Sequence, residues 1–378
     1  MKTLVVGAGP AGLAVASCLG RRGVHAVVLE KADTVAPAWH RHYERLHLHS
    51  NKASSGLPGM PMPAGYPRYP SRDQVAEYMS EYASAAEVDA RFGVEVERVN
   101  HRDGFWTVET ADGDVFEADT VVIATGLSHF PRMPHYPGQD AYQGVTLHTA
   151  QYLNGEPYRG KRVLVIGFGN SAGEIALDLA EHGAATFLSV RSPSVVVPRD
   201  VLGIPILAMA RWMSVLPPKV ADFMSKPLLR LLVGDISKVG IPEADWGPIE
   251  QIVTKGKIPL LDIGTMAALK SGAIEARPGV DSFTETGVVF TDATEEQFDA
   301  VIFGTGFKAE ADRLLDSSRG LVDERGIPVV SGGETSADGL YFCGFREPPT
   351  GRLREIGIEA ERIADLIAAR VGSPSGAT

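Results

Sequence analysis

The sequence is poor in cysteine and has no long hydrophobic run. Among its 378 residues only Cys18 and Cys343 are cysteines, and they form neither a C-x-x-C pair nor a metal-ligand spacing. This excludes the disulfide-relay chemistry of a C-x-x-C pair and a cysteine-based metal site, and we predict no metal. The most apolar stretch, residues 201–216, is interrupted by Pro205 and Arg211 and is shorter than the roughly 20 residues of a membrane-spanning helix. With a strand beginning at Thr3 and no signal peptide before it, we expect a cytoplasmic protein.

Basic runs are also missing, and the formal net charge is −11. This balance argues against a surface that binds nucleic acid or an anionic membrane, although a local basic pocket for phosphates remains compatible with it. Hydrophobic residues make up 44% of the chain and charged residues 22%, as in ordinary globular proteins. The 41 glycines follow no repeat, so we expect them in tight turns and at close approaches of backbone to ligand.

Two segments share one pattern, an apolar strand followed by a glycine-rich turn and a helix. The first turn contains Gly7, Gly9 and Gly12, and the second contains Gly167, Gly169 and Gly173. The first glycine allows the tight turn, the second lets a pyrophosphate approach the backbone, and the third lets helix and strand pack closely. Phosphates then bind at the helix N-terminus. The pattern predicts an α/β fold with two Rossmann-like dinucleotide-binding domains.

Each domain is also expected to carry an antiparallel β-meander as an insert. Alternating residues at 94–117 predict the first meander, and the strands 273–277 and 288–291 predict the second. A buried strand ending in Thr125-Gly126 follows the first, and one ending in Thr305-Gly306 follows the second.

The residues that end the second strand of each unit separate the two dinucleotides. Glu30 can accept hydrogen bonds from ribose hydroxyls, which suits FAD. Arg191 and Ser192 stand at the equivalent point of the second unit, where an arginine suits the 2′-phosphate of NADPH. A nicotinamide donor beside a flavin acceptor implies electron transfer between them. The predicted domains are 1–152 with 300–378 for FAD, and 153–299 for NADPH, with a helical substrate or packing region at about 196–262.

Between the two units lies a motif that resembles a known fingerprint. Tyr142, Gly144, His148 and Tyr152 match the F-x-G-x-x-x-H-x-x-x-Y/F pattern of class B flavin-dependent monooxygenases, with tyrosine in place of the first phenylalanine. The last position is not the tryptophan usual in Baeyer–Villiger members. The resemblance therefore favours the flavin-containing monooxygenase branch.

Further blocks resemble the YUCCA-type subfamily over roughly residues 1 to 370. They lie, in order, at 39–49, 167–171, 190–199, 256–264 and 339–341. The sequence departs from the pattern at 36–38, where Ala-Pro-Ala replaces Gly-Gly, at Asn51, where proline is expected, and in the charged, proline-rich stretch 346–354. These departures affect the expected substrate more than the cofactor chemistry.

The resemblance implies an NADPH- and O2-dependent flavoprotein monooxygenase that forms a C4a-(hydro)peroxyflavin and oxygenates a small organic substrate. A 2-oxo acid such as indole-3-pyruvate, undergoing oxidative decarboxylation, is the preferred substrate. N- or S-oxygenation of a small amine or thioether and Baeyer–Villiger oxidation remain alternatives. Outside monooxygenation, a flavin redox sensor or an uncoupled NADPH oxidase remains open.

Two residues are the catalytic candidates. The resemblance implies that Asn51 contacts flavin or NADP⁺ near the oxygen site, and its alternative is an Asx turn. His148 is expected to couple NADP⁺ binding to flavin reactivity rather than to act as a general base. The glycine turns, strand ends and resemblance give these cofactor-binding candidates: Gly7, Gly9, Pro10, Ala11, Gly12, Glu30, Trp39, His49, Thr125, Gly126, Gly167, Gly169, Asn170, Ser171, Arg191, Ser192, Thr305, Gly306 and Gly344.

Substrate recognition is expected within residues 196–262, whose apolar, helical pattern also fits a domain-packing face or a homodimer interface. A peripheral membrane role for residues 201–216 has little support, because that segment lacks a cationic face.

Overall fold

The computed structural model describes residues 1–372, apart from 103, 129, 214, 215, 317, 319 and 349. Its strands are β1 (Thr3–Val6), β2 (Ala26–Leu29), β3 (Asp89–Arg91), β4 (Val96–Arg102), β5 (Phe105–Thr110), β6 (Val115–Ala118), β7 (Thr120–Ile123), β8 (Phe130–Pro131), β9 (Val145–His148), β10 (Arg162–Ile166), β11 (Ala185–Ser189), β12 (Val196–Pro198), β13 (Asp200–Val201), β14 (Ile204–Pro205), β15 (Leu260–Asp262), β16 (Ile274–Arg277), β17 (Val280–Phe283), β18 (Gly287–Phe290), β19 (Glu295–Gln297), β20 (Ala300–Phe303), β21 (Phe307–Lys308) and β22 (Leu340–Phe342).

The helices are α1 (Pro10–Gly20), α2 (Pro37–Arg41), α3 (Arg72–Ala85), α4 (Asn170–Glu181), α5 (Ile206–Met213), α6 (Pro218–Val233), α7 (Pro248–Lys255), α8 (Thr265–Ser271) and α9 (Arg352–Gly372). Short 3-10 turns lie at Lys52–Ser54, Gln139–Ala141, Glu156–Tyr158, Ile236–Val239 and Ala311–Leu314.

The chain divides into two compact units, and it crosses between them four times. Unit 1 contains Met1–His40, Ser50–Phe130 and Phe307–Thr378, and unit 2 contains Arg41–His49 and Pro131–Gly306.

Unit 1 is built on a parallel sheet in the order β22-β7-β1-β2-β3. Its central strands are apolar throughout because both faces are covered, and β1, β2 and β7 are fully buried. The antiparallel sheet β4-β5-β6 forms the predicted first meander. Helix α9 packs along α1, where Arg21 and Arg22 form ion pairs with Glu361. The core is formed by β1, β2, β7 and β22 together with Trp106.

Unit 2 repeats this plan with the parallel sheet order β16-β11-β10-β20-β9. In both units the strand that precedes the glycine turn is central, and the next strand along the chain lies beside it. The strands on its other side come from elsewhere in the chain. This change of direction creates the crevice in which open α/β sheets bind ligands. The two Rossmann-like domains are confirmed.

Two details of the prediction need correction. The sequence pattern predicts β16 within the second meander, but this strand pairs in parallel with β11 and belongs to the main sheet of unit 2. The meander consists of β17, β18 and β19. The predicted domain limits at 152 and 300 also differ from the limits of the compact units. Residues 131–152 and 300–306 belong to unit 2 because β9 pairs with β20, and β20 pairs with β10.

In the described part of the chain, no helix combines the length and the apolar character needed to cross a membrane.

Candidate active site

The first glycine turn leaves open space at one of its three glycines. Gly7 has φ +104°, in the left-handed region that favours glycine, and a Cβ at Gly12 would lie 1.9 Å from the Gly7 carbonyl oxygen. Both positions are therefore required by the fold. At Gly9, in contrast, a Cβ would meet no atom within 4 Å. No side chain caps α1, and Pro10 occupies its first turn. The turn therefore has the free helix N-terminus and the space that a pyrophosphate needs.

Glu30 lies beside this turn at the end of β2. It is buried, and its two carboxylate oxygens accept hydrogen bonds from the backbone N–H groups of Ala8 and Ala32, at 2.7 and 2.9 Å. Each carboxylate oxygen accepts more than one hydrogen bond. The arrangement therefore orients Glu30 while leaving acceptor capacity for ribose hydroxyls.

Other predicted residues meet at the same edge of the unit 1 sheet. The strand β7 leads into Ala124-Thr125-Gly126, and a Cβ at Gly7 would lie 3.0 Å from the Ala124 oxygen. A Cβ at Gly344 would lie 2.8 Å from that of Ala11. The buried Glu359 accepts a hydrogen bond from the Gly344 N–H at 2.7 Å. The structure therefore brings Gly7, Gly9, Pro10, Ala11, Gly12, Glu30, Thr125, Gly126 and Gly344 together.

Asn51 caps the 3-10 turn Lys52–Ser54 in unit 1. Its side-chain oxygen accepts a hydrogen bond from the Ser54 N–H at 3.0 Å, as in the Asx turn that was the alternative interpretation. Its amide nitrogen forms no hydrogen bond with the described residues. That NH2 group remains able to donate to a ligand. Trp39 lies half-buried on α2, also in unit 1.

The second glycine turn has the same geometry. Gly167 has φ +122°, and a Cβ there would lie 2.3 Å from the Gly304 oxygen. Gly169 precedes the uncapped α4, and a Cβ there would meet no atom within 4 Å. At Gly173 a Cβ would approach Leu260 to 2.7 Å, which is the close packing expected of the third glycine.

Two predicted residues on the first turn of α4 have partners within unit 2. The Asn170 oxygen accepts a hydrogen bond from the Leu261 N–H at 2.7 Å, and the Ser171 side chain lies beside the Tyr43 phenol. Arg191 follows β11, is exposed, and forms no ion pair with the described residues. Ser192 lies beside it and is partly exposed.

His148 is completely buried at the end of β9. Its Nδ1 accepts a hydrogen bond from the Ala150 N–H at 3.1 Å, so Nε2 carries the proton and donates to the Gly306 oxygen at 3.0 Å. Thr305, the residue before Gly306, donates a hydrogen bond from its hydroxyl group to the backbone oxygen of Arg132. Because both ring nitrogens bind backbone groups, His148 positions the Thr305-Gly306 turn and is not a free general base.

Burial should make the stability of the protein depend on His148 at acidic pH. Desolvation lowers the pKa of His148 below its usual 6.5, and the hydrogen bond to Gly306 only partly opposes this. Between the native pKa and 6.5, the unfolded chain therefore binds a proton that the native imidazole does not bind. The free energy of unfolding should fall as the pH drops from 6.5 towards the native pKa, by up to about 1.4 kcal/mol per pH unit.

Urea unfolding of the wild type and His148→Gln across this pH range measures the effect. We expect the stability advantage of the wild type to shrink on acidification, because glutamine does not titrate. The control His40→Gln, which removes an exposed histidine of α2, should keep the wild-type dependence. A constant difference between wild type and His148→Gln would contradict the prediction.

The other fingerprint residues also attach β9 and its flanks to unit 2. The Tyr142 hydroxyl donates to the Phe298 oxygen at 2.7 Å, and a Cβ at Gly144 would collide with the Tyr142 ring. The buried Tyr152 donates to Asp178 at 2.6 Å. The motif therefore stabilises the edge strand of this Rossmann sheet.

A cluster around Glu174 was not predicted. This carboxylate is only 2% exposed, accepts a hydrogen bond from the Tyr43 hydroxyl at 3.2 Å, and pairs with the His49 Nε2. His49, predicted to bind cofactor, is thus held within unit 2. Arg45 adds a double hydrogen bond to Glu181. The signal in the sequence was the acidic residue four positions after Asn170, one helical turn along α4.

Neither of the two cysteine thiols is accessible for redox chemistry. Cys18 and Cys343 are free and buried, and desolvation raises the pKa of Cys18 to about 11 and that of Cys343 well above its usual range. Within the described residues, no group of three or more His, Cys, Asp or Glu side chains could hold a metal ion.

The span 196–262 contains a cavity of about 270 Å³ beside α6 and α7. Its walls include Trp246 and Asp222, and Asp222 accepts hydrogen bonds from the N–H groups of Ile249 and Glu250 at the start of α7. This cavity lies within unit 2, in the stretch where substrate recognition was expected.

Comparison with known proteins places this geometry in a family. The family model "Pyridine nucleotide-disulphide oxidoreductase" matches residues 4–200. The chain is 40% identical to indole-3-pyruvate monooxygenase YUCCA1 of Oryza sativa subsp. japonica, over 91% of this chain and 86% of that protein. It belongs to the YUCCA family of flavin-dependent monooxygenases. With the probable indole-3-pyruvate monooxygenase YUCCA1 of Arabidopsis thaliana it shares 35% identity, over 90% and 84% of the two chains.

Solved structures agree with this assignment. A flavin monooxygenase mutant from Stenotrophomonas maltophilia superposes with a TM-score of 0.75 at 25% identity, covering 98% of both chains. Cyclohexanone monooxygenase from Rhodococcus sp. Phi1, solved with NADP⁺, has a TM-score of 0.77 at 22% identity, covers 98% of this chain and 84% of its own, and shares the fold. This YUCCA-family chain is an FAD-dependent monooxygenase that takes its electrons from NADPH.

Proposed function

We propose that the enzyme converts a 2-oxo acid, with indole-3-pyruvate as the preferred substrate, into the acid shorter by one carbon. The observation that carries the proposal is the 40% identity to a rice indole-3-pyruvate monooxygenase over nearly the full length of both chains. The balanced reaction is indole-3-pyruvate + O2 + NADPH + H⁺ → indole-3-acetate + CO2 + H2O + NADP⁺. Bound flavin would activate the oxygen, and NADPH would supply the two electrons.

The residues divide between the two dinucleotides in this proposal. Unit 1 holds FAD, with the pyrophosphate over Gly9 and the ribose hydroxyls on Glu30. Unit 2 holds NADPH, with the pyrophosphate over Gly169 and the 2′-phosphate on Arg191. The open space at both glycines and the unpaired guanidinium of Arg191 support this division.

Asn51 and His148 act beside the cofactors in this proposal. The free NH2 group of Asn51 donates a hydrogen bond to flavin or NADP⁺ near the reacting oxygen, and the side-chain oxygen, by capping the turn, orients that group. His148 fixes the Thr305-Gly306 turn, and NADP⁺ bound at that turn is thereby linked to the reactivity of the flavin.

Replacing Arg191 should weaken the preference for NADPH over NADH. We expect Arg191→Gln to raise the KM for NADPH about ten- to hundredfold, because a charge-assisted hydrogen bond to phosphate is worth about 1.5–3 kcal/mol. The KM for NADH should stay unchanged, since NADH has no 2′-phosphate. The steady-state rate of nucleotide oxidation, measured at varied concentrations of NADPH and of NADH, gives both KM values. Replacement of the exposed Arg159 by glutamine serves as the control. An equal loss for NADPH and NADH would refute the role of Arg191.

The substrate class is tested by product analysis with the purified holoenzyme. Indole-3-pyruvate, phenylpyruvate, a tertiary amine and a thioether are each incubated with NADPH under ¹⁸O2, and product, CO2 and H2O2 are quantified against NADPH consumed. The proposal expects one ¹⁸O atom in the shortened acid and one CO2 per NADPH with the 2-oxo acids. If only the amine or the thioether is oxygenated, the proposal is contradicted and the enzyme is assigned N- or S-oxygenation. Peroxide equal to NADPH with every compound would indicate an oxidase or a sensor.

A further inference from the structure

The helix α6 exposes an apolar face to solvent. Its buried residues, Ala221, Asp222 and Val233, lie on one side. At about 100° per residue, the opposite side is a continuous arc of roughly 140°. That arc is made of Val220, Phe223, Met224, Pro227, Leu228 and Leu231.

These side chains are strongly exposed. Phe223 is 80% exposed, Leu231 81% and Met224 63%. The outer face of a surface helix in a soluble protein is normally polar. A contiguous apolar face of this kind marks an interaction surface.

A row of cations borders the apolar arc along one edge. Lys219, Lys226 and Arg230 project within about 40° of one another on the helix, next to Phe223. All three are exposed and form no ion pair with the described residues. They also border the cavity described above, whose acidic lining residues Glu243, Asp245 and Glu250 remain unpaired with them.

The outward charge of α6 is therefore opposite to that of the whole chain. Asp222 is the one acidic residue of this helix, and it is buried with both oxygens bound to N–H groups of α7. The helix thus presents three positive charges from a protein of net charge −11. A partner for this face should be apolar and anionic at once.

We propose that α6 docks the enzyme on an anionic phospholipid surface. The apolar arc enters the boundary between headgroups and acyl chains, and the helix axis lies in the membrane plane. The three cations at its edge extend along their aliphatic stems to the lipid phosphates. Each contributes to binding through the negative surface potential.

A second copy of the chain fits this face less well. In a dimer whose two-fold axis is perpendicular to α6, the two α6 helices would pack antiparallel. Both cation rows would then lie at the same edge of the interface and repel each other. In a dimer whose two-fold axis is parallel to α6, each cation row would instead lie against the apolar Leu228 and Leu232 of the other copy. An anionic lipid surface, in contrast, can contact the apolar arc and the cation row at the same time.

Co-sedimentation of the full-length, FAD-loaded enzyme with vesicles tests the proposal. Vesicles of equal parts phosphatidylglycerol and phosphatidylcholine are compared with phosphatidylcholine alone. We expect binding to the anionic vesicles, weakened by salt. Lys226→Gln with Arg230→Gln should weaken it about fivefold for each charge removed. Phe223→Ser with Leu231→Ser should abolish it, and these exposed positions can change without disturbing the core.

Two control variants and one further measurement complete the design. Val115→Ser on β6 and Arg102→Gln on β4 remove an exposed apolar group and an exposed charge elsewhere, and both should bind like the wild type. Absence of binding to anionic vesicles, or binding unaffected by the α6 variants, overturns the proposal. A dimer in light scattering that Phe223→Ser with Leu231→Ser converts to monomer also overturns it and assigns the face to a second copy.

Discussion

Replacing Gly9 with valine is expected to yield a folded protein that no longer binds FAD. The backbone of Gly9 has φ −73° and ψ −178°, an extended conformation open to any residue, and a Cβ there meets no protein atom within 4 Å. A side chain that begins at this Cβ would therefore extend into the space proposed for the pyrophosphate. We expect FAD affinity to fall at least about a hundredfold, equivalent to about 2.7 kcal/mol.

The same substitution in the second turn gives a reciprocal control. Gly169→Val has the same open surroundings. It should leave the protein yellow while strongly slowing flavin reduction by NADPH. Gly20→Ala, at the far end of α1 and also in open space, should behave like the wild type. Gly12→Val, in contrast, should fail to fold, because its Cβ would lie 1.9 Å from the Gly7 oxygen.

Absorbance at the flavin band, circular dichroism and stopped-flow reduction measure these outcomes. A Gly9→Val protein that keeps a full complement of FAD would contradict the position assigned to the pyrophosphate. Loss of FAD from Gly169→Val, with Gly9→Val unaffected, would reverse the assignment of the two cofactors.

The repeated strand–turn–helix units could be predicted because their signals are local. An apolar strand, glycines at fixed spacing and the following helix all lie within about a dozen residues, and both units adopt that geometry. The sheet to which a short strand belongs is not a local property. The strand β16 has an ordinary strand pattern, and its parallel partner β11 decides its place. The boundaries at 131–152 depend likewise on the pairing of β9 with a strand 155 residues later in the chain.

The glycines of the candidate site have a local signal, because their role is carried by the backbone. Gly7 and Gly167 have the positive φ values that the motif requires. Ala36 also has a positive φ, +48°, in the segment where alanine replaces part of the expected Gly-Gly, so the chain adopts a left-handed conformation there without glycine. The partners of Tyr142, His148 and Tyr152 come from distant segments. Their anchoring roles therefore appear only in the folded chain.

Removing the Glu174 carboxylate is the second large effect that we expect. This group holds Arg41–His49, a segment of nine residues that belongs to unit 2 although the chain before and after it belongs to unit 1. The Tyr43 hydroxyl and the His49 ring both bind it, and burial raises the pKa of Tyr43 well above its usual range. In Glu174→Ala these donors lose their acceptor in a buried site. We expect the free energy of unfolding to fall by about 3 kcal/mol.

Amide hydrogen exchange and urea unfolding together test this anchoring role. Exchange should accelerate in residues 41–49 well before global unfolding, because local opening releases that segment first. Glu174→Gln keeps the shape and one acceptor oxygen and should recover part of the stability, whereas Tyr43→Phe should cost only about 1 kcal/mol, since Glu174 retains His49. Glu181→Gln provides the matched control: Glu181 lies on the same helix as Glu174, but its exposed carboxylate pairs with Arg45 at the surface, so its loss should cost less than about 1 kcal/mol. Uniform acceleration over all of unit 2, with no excess in 41–49, would show that Glu174 supports the core of α4 rather than anchoring the segment that leads to Asn51.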